Sequence, residues 1–448
     1  MICRWVSRLF LCGAMLCGTF FAQAAPLRPA VPAGAEPSSH FDVQTATDAW
    51  LATVAGSAKK ESDAYFTGGY WLILWDFLAT VVVMLALLET KASARMRDFS
   101  ERVSRLKFFQ YWIFFILLVL AASILTFPLT VYESWIREHQ YGLSNQTFGQ
   151  WFSEQLIGLG LTLVLGGLGF CALIAIVRRM PRTWPIWGAI AALAFVMVSA
   201  LIGPVFIAPL FNRYKPLENQ VIKNQILSMA RANGIPAHDV FEVDASRQSK
   251  RVSANVSGLF GTERITLNDN LLKRCSPQAI MATMGHEMGH YVLHHIDNMI
   301  MFLAILIVVG FTVLRWALDK AVMRFGERWR LRGATDLAAV PVAVLILTTL
   351  GLIVTPIQNS FIRAQEYEAD IFGLNASRQP DGEAEVDLLL GEYRKLDPSP
   401  LEEALFFDHP SGRMRITAAM RWKAENLCLF DAALKCGSSA AERPSSMN

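Results

Sequence analysis

Two histidines four residues apart, with a glutamate beside the first, are the side chains here best spaced for chemistry: His286-Glu287-Met288-Gly289-His290. On a helix, residues four apart share a face, so both imidazoles reach one metal ion. Glu287 is not needed as a ligand and stands ready to take a proton from a water activated by that metal. Only eight histidines occur in 448 residues, which makes a chance pentad rare. The competing reading is a helix with two exposed histidines. A catalytic zinc site takes three protein ligands and keeps one position open. A second helix-favouring stretch, 359–372, places Glu366 and Asp370 four apart on one face. Glu366 is the candidate third ligand. Asp370 is placed to accept a hydrogen bond from a ligand histidine and so fix its tautomer. Glu368 falls on another face of that helix. Taken alone, this stretch also reads as a solvated charged helix.

The elements that must position these groups are mostly apolar. Hydrophobic residues make up 53% of the chain and charged residues only 18%, whereas soluble domains are about a quarter charged. The excess is concentrated in six blocks near 69–88, 108–130, 156–177, 185–209, 298–318 and 337–357. Each has the length of a bilayer-spanning helix, so the chain reads as a polytopic membrane protein. Arg4 and Arg8 precede a short apolar run ending in Ala22-Gln23-Ala24-Ala25, the pattern of a signal peptide over 1–25 or of an uncleaved anchor. Three loops are basic: 89–107, 178–184 and 319–335. The loop 131–155 holds only Arg137. The positive-inside rule puts the basic loops in the cytoplasm, and 26–68, 131–155, 210–297 and the tail outside. Asp76 reads as the only clear acid within a span, a poor basis for a transporter. The basic residues are not interleaved with aromatic faces, so nucleic acid is not an expected partner.

The polar parts are organised around the pentad. The domain 210–297 opens with an amphipathic helix near 221–230, stopped by Gly234-Ile235-Pro236. Strand-like runs follow at 240–243 and within 254–267, the latter with Gly258 and Gly261 as turn residues. The pentad's helix spans 278–293, with Pro277 at its first turn. The expected division is a linker over 26–68, four spans over 69–209, the zinc domain over 210–297, two spans over 298–357, its C-terminal part over 358–436 and a disordered end over 437–448. Cys428 and Cys436 are read either as a disulfide or as free thiols.

Four ordered stretches resemble the integral-membrane CAAX prenyl proteases, the zinc metallopeptidases that process a-factor and prelamin. Gly285-His286-Glu287-Met288-Gly289-His290, with His295 after it, is similar to that family's G-H-E-L-G-H-W-x-x-x-H run. Arg363-Ala364-Gln365-Glu366-Tyr367-Glu368-Ala369-Asp370 is similar to its R-x-x-E-x-x-A-D helix. Tyr141-Gly142-Leu143-Ser144-Asn145-Gln146-Thr147 and Ile207-Ala208-Pro209-Leu210-Phe211 resemble two further motifs. The resemblance implies one Zn2+ per chain on His286, His290 and Glu366, with Glu287 as general base. It implies that Asn255 lies on an edge strand beside the bound peptide. It further implies that His409 and Arg415 hold substrate and stabilise the oxyanion. The implied fold is mainly α: helices around an intramembrane chamber, closed by a small α+β, gluzincin-like zinc domain. Tyr291 stands where tryptophan is usual, and a signal-like segment replaces the first helix.

These readings combine into one expectation. The chain is a zinc metalloendopeptidase of a bacterial inner membrane, cutting membrane-associated or envelope proteins on the periplasmic side. The alternatives are a broad quality-control protease and, from another class, a zinc-binding transporter or a catalytically dead scaffold.

Overall fold

The computed structural model describes residues 29–54, 56–257 and 264–434. The signal-like segment 1–25, the tail 437–448 and Cys436 lie outside the described residues.

Six helices are long and apolar enough to cross a membrane: Ser57–Glu89, Lys107–Gln140, Phe148–Arg179, Trp184–Leu210, His295–Phe325 and Leu337–Ser377. Each packs against its neighbours in the chain, and the sixth returns to the first, closing a six-helix ring; no opposite pair packs to a comparable degree. With axes about 10 Å apart, six helices in a ring leave a central space about one helix wide. The fourth and fifth spans bury only 6% of their most apolar windows, the least of the six.

The spans extend beyond their apolar cores. The first begins at Ser57, twelve residues before the apolar block, so the expected linker over 26–68 is replaced by structure. Its upstream part holds another helix, Val43–Ala52, capped by Asp42, whose side chain accepts from the Thr45 N–H at 2.8 Å. Ala46 and Trp50, one turn apart, are buried against Ile416, Ala419 and Met420. Asp48 pairs with Arg413 at 2.8 Å. The small-residue composition of 26–45 hides this docking face. The second span runs on to Gln140 and contains buried Glu133 and Glu138, so Asp76 is not the only acid within a span. Glu138 accepts from Tyr65 at 2.6 Å and from Arg251 at 2.9 Å, which ties two spans to the polar domain.

The three basic loops meet on one face. Arg97 pairs with buried Asp336, Arg332 reaches Glu101 at 2.8 Å, and Arg328 reaches Glu89 at 2.9 Å. Arg178 donates to the Thr335 carbonyl at 3.2 Å. At the other end of the ring sits a four-stranded sheet, β1 (Tyr214–Pro216), β2 (Val240–Val243), β3 (Ala254–Ser257) and β4 (Arg264–Asn268), in the order β1-β2-β4-β3. β2 and β4 are parallel, and the outer pairs are antiparallel. Ile226, Val240, Ile265, Leu267, Ile280 and Met284 form the core between this sheet and the helices below it. The loop after the second span docks here: Asn145 donates from its backbone N–H to the Gln248 carbonyl at 3.0 Å and from its side chain to the Ser246 carbonyl at 2.7 Å. That contact accounts for the polar Ser144-Asn145-Gln146 stretch.

Candidate active site

The pentad lies on Pro277–Val292. Ser276 caps it, its hydroxyl accepting from the Ala279 N–H at 3.1 Å, and Pro277 takes the first helical position. Glu385 grips the same cap, accepting from the Ser276 backbone at 2.7 Å. After Val292 the chain turns through His294, at φ 56°, into the fifth span.

The second carboxylate stretch is not a separate helix. Val340–Ser377 is one helix of 38 residues that runs through Pro356 without a break, so the sixth span delivers its own polar end to the site. This end crosses the pentad's helix at very close range. A Cβ on Gly285 would stand 2.8 Å from the Gly373 carbonyl oxygen, and one on Gly373 would stand 2.7 Å from the His286 nitrogen. Only glycine fits at these two positions. Gly289 lies against Ala369 in the same crossing.

That crossing brings the predicted ligands together. His286 Nε2 lies 3.1 Å from His290 Nε2 and 3.2 Å from Glu366 Oε2, and His290 Nε2 lies 3.6 Å from Glu366 Oε1. Ligand atoms about 2.05 Å from a tetrahedral zinc ion are about 3.3 Å apart, so these spacings match the edges of a coordination polyhedron. Glu366 Oε2 is buried and accepts no well-aligned hydrogen bond from the imidazoles around it. A buried carboxylate oxygen left in this state points to a cation, and the donor set fits a divalent metal.

Each candidate ligand histidine is oriented from behind. His286 Nδ1 is 2.8 Å from Asp370 Oδ1, as the spacing predicts. His290 Nδ1 is 2.9 Å from His295 Nδ1, and His295 Nε2 is 3.2 Å from Glu368 Oε2. Glu368 turns away from the ligand atoms, yet it ends a chain that supports His290. Sequence reasoning missed this link, although His295 was visible in the family-like run. Glu287 is half-buried on the helix beside the ligands. Burial pushes its carboxyl above the ordinary range.

His409 stands at the open side, its Nε2 3.3 Å from Glu366 Oε2 and its Nδ1 2.8 Å from Asp408 Oδ1. Arg363 carries the segment that brings it: its guanidinium donates to the carbonyls of Glu403 at 2.8 Å and Phe407 at 2.6 Å. Arg415 is placed differently from the expectation. Its Nε donates to Asp370 Oδ2 at 2.9 Å, Nη2 to Glu383 Oε1 at 3.0 Å, and Nη1 lies 2.8 Å from Asp387 Oδ1. All three nitrogens face buried carboxylates, so none is left to hold an oxyanion. Arg415 positions Asp370 and, through it, His286. Asn255 lies on β3, the outer strand, which packs over the pentad's helix; its Oδ1 is buried without a hydrogen-bond partner.

Glu366→Ala is expected to lose stoichiometric metal after dialysis against a chelator, while Glu368→Ala keeps it. Equal retention by the two proteins, read by metal analysis, removes Glu366 from the ligand set.

A ring of membrane helices with a His-His-Glu cluster and an adjacent glutamate at one end defines a membrane-embedded metallopeptidase. Comparison with known proteins agrees. Residues 216–423 match the model of Peptidase family M48, and 50–213 match that of the CAAX prenyl protease N-terminal region, described as five membrane helices. The chain belongs to peptidase family M48, in its CAAX prenyl protease-like branch. Among its relatives is an uncharacterised metalloprotease of Bacillus subtilis, YhfN, 29% identical over 75% of this chain and 79% of that protein. CAAX prenyl protease 1 of Saccharomyces cerevisiae is 27% identical over 66% of this chain and 69% of its own. The crystal structure of S. mikatae Ste24p shares the fold, with a TM-score of 0.71 at 22% identity over 82% of this chain and 89% of that one.

Proposed function

We propose that this chain uses one Zn2+, held by His286, His290 and Glu366, to hydrolyse peptide bonds in membrane-associated or envelope proteins. It would do so at the periplasmic face of a bacterial inner membrane. The observation that supports this reading is the convergence of His286, His290 and Glu366 at one end of the six-helix ring, with Glu287 beside them and a sheet edge alongside. When bound, zinc acidifies a water and polarises a carbonyl.

The chain's own residues supply the rest. Glu287 accepts the proton of the attacking water and returns it to the leaving amine. His409, aimed by Asp408, donates from Nε2 towards the developing oxyanion. β3 offers its free edge to an extended peptide, so affinity comes from main-chain hydrogen bonds and varied side chains are tolerated. Asn255, with its free Oδ1, takes a main-chain N–H of that peptide. The ring admits substrates that arrive within the bilayer.

Two experiments test this. Envelope proteomes of wild type and a Glu287→Gln strain are compared, and uncut substrates are expected to accumulate in the variant. Indistinguishable proteomes count against the substrate class. For sidedness, alkaline phosphatase and green fluorescent protein are fused separately after Leu434. Phosphatase activity without fluorescence is expected, because Lys and Arg near span ends resist translocation. Fluorescence without phosphatase activity would place the active site in the cytoplasm.

A further inference from the structure

We infer that the face opposite the active site carries a binding site for an anionic phospholipid, between the start of the second span and the end of the third. A cavity of about 390 Å³ opens there, lined by Lys107, Arg178 and Arg179 together with Phe108, Tyr111 and Ala175. None of its lining side chains is acidic. The volume lies within the range of small-molecule sites, about 300–1,000 Å³.

The charge there is uncompensated, in contrast to the paired arginines nearby. On the same face Arg97, Arg328 and Arg332 are each taken up by carboxylates. Lys107, Arg178 and Arg179 have no such partner among the described residues. Lys107 reaches only the neutral Gln110 Oε1 at 3.1 Å. Arg178 is held in place without being neutralised: Nε donates to the Thr335 carbonyl at 3.2 Å, Nη1 lies 3.5 Å from the Tyr111 hydroxyl, and Cζ stands 5.0 Å from the Tyr111 ring centroid. Its Nη2 is left over. Arg guanidinium and Lys ammonium groups are matched to phosphate oxygens.

The position selects a lipid over a soluble anion. Lys107 is the first residue of one span and Arg179 the last of another, so the cations lie where the hydrocarbon ends and lipid phosphates begin. Leu106, Phe108 and Phe109 are exposed beside them, an apolar flank on which acyl chains can lie. A phosphodiester headgroup with two acyl chains meets both requirements. Zwitterionic phosphatidylcholine carries its own cation against the phosphate and meets only the second.

The test uses full-length protein from phosphatidylcholine nanodiscs doped with phosphatidylglycerol, with retained lipid counted by native mass spectrometry. One phosphatidylglycerol per chain is expected to survive. Each surface cation contributes about fivefold in affinity, so Arg179→Gln should weaken retention about fivefold and removal of all three cations roughly a hundredfold. Arg179 contacts no charged protein group, so misfolding does not explain its effect. Arg332→Gln, on the same face but paired, should retain the lipid. Undiminished retention by the triple variant overturns the proposal, as does equal retention of phosphatidylcholine. Displacement of the lipid by inorganic phosphate would mark a soluble-anion site and overturn it too.

Discussion

Glu287→Gln is expected to lower peptide hydrolysis by at least about a hundredfold while leaving the metal in place, since a positioned acid–base group contributes about 10²–10⁴. The substitution keeps the side chain's volume and hydrogen-bonding shape and removes only its ability to take a proton. The three candidate ligand atoms belong to His286, His290 and Glu366, which cluster without Glu287. Metal content therefore separates two roles that activity alone confuses. Activity within about tenfold of wild type in metal-loaded protein would refute the assignment as base. Loss of stoichiometric metal would make Glu287 a ligand.

The centre of this site was legible in the sequence because local rules govern it. The i,i+4 spacing of His286 and His290, and of Glu366 and Asp370, survives unchanged on real helices, and the pentad's helix differs from its predicted bounds by one residue at each end. β2 coincides with its predicted run, β3 falls within the second strand-like region, and β4 overruns its end by one residue. The failures are long-range. An apolar window ends near 357, but the helix goes on to Ser377 because its polar end is held against the pentad's helix, a contact that hydropathy does not register. β1, three residues long, carries no periodic signal and exists through pairing with β2. The resemblance implies a substrate-facing Arg415, and nothing in the sequence signals that Glu383 and Asp387, on the helix Pro380–Leu390, enclose it.

The stretch 363–370 shows how much one helix face can do. Arg363 anchors the segment that carries His409. Glu366, one turn on, faces the two histidines. Ala369 is small where Gly289 passes, and Asp370 orients His286. Arg363, Glu366 and the adjacent Ala369 and Asp370 follow at steps of three and four because the helix that crosses the pentad presents one face to it. The same helix is the sixth span.

Arg415 carries the second large effect. Arg415→Met leaves Asp370, Glu383 and Asp387 buried around no cation, and breaking such a cluster costs about 3–5 kcal/mol. Arg415→Lys should recover only part of this, since an ammonium cannot serve three carboxylates in fork geometry. The loss has a definite pH dependence. Burial pushes Glu383 up and Asp387 well up, and Arg415 opposes both shifts. For acids whose folded-state pKa is raised, the associated stability is fully present below the unfolded-state pKa, about 4, and is lost as pH rises through the folded-state value. Removing Arg415 raises those folded-state values further. The variant's deficit against wild type should therefore be larger at about pH 8 and shrink towards about pH 5, as apparent Tm in detergent. A positioning role also predicts weaker metal retention, because His286 loses its oriented partner. An oxyanion role predicts the opposite pattern: lower kcat at unchanged Tm and unchanged metal content. That outcome would return Arg415 to the catalytic group from which its three carboxylate contacts remove it.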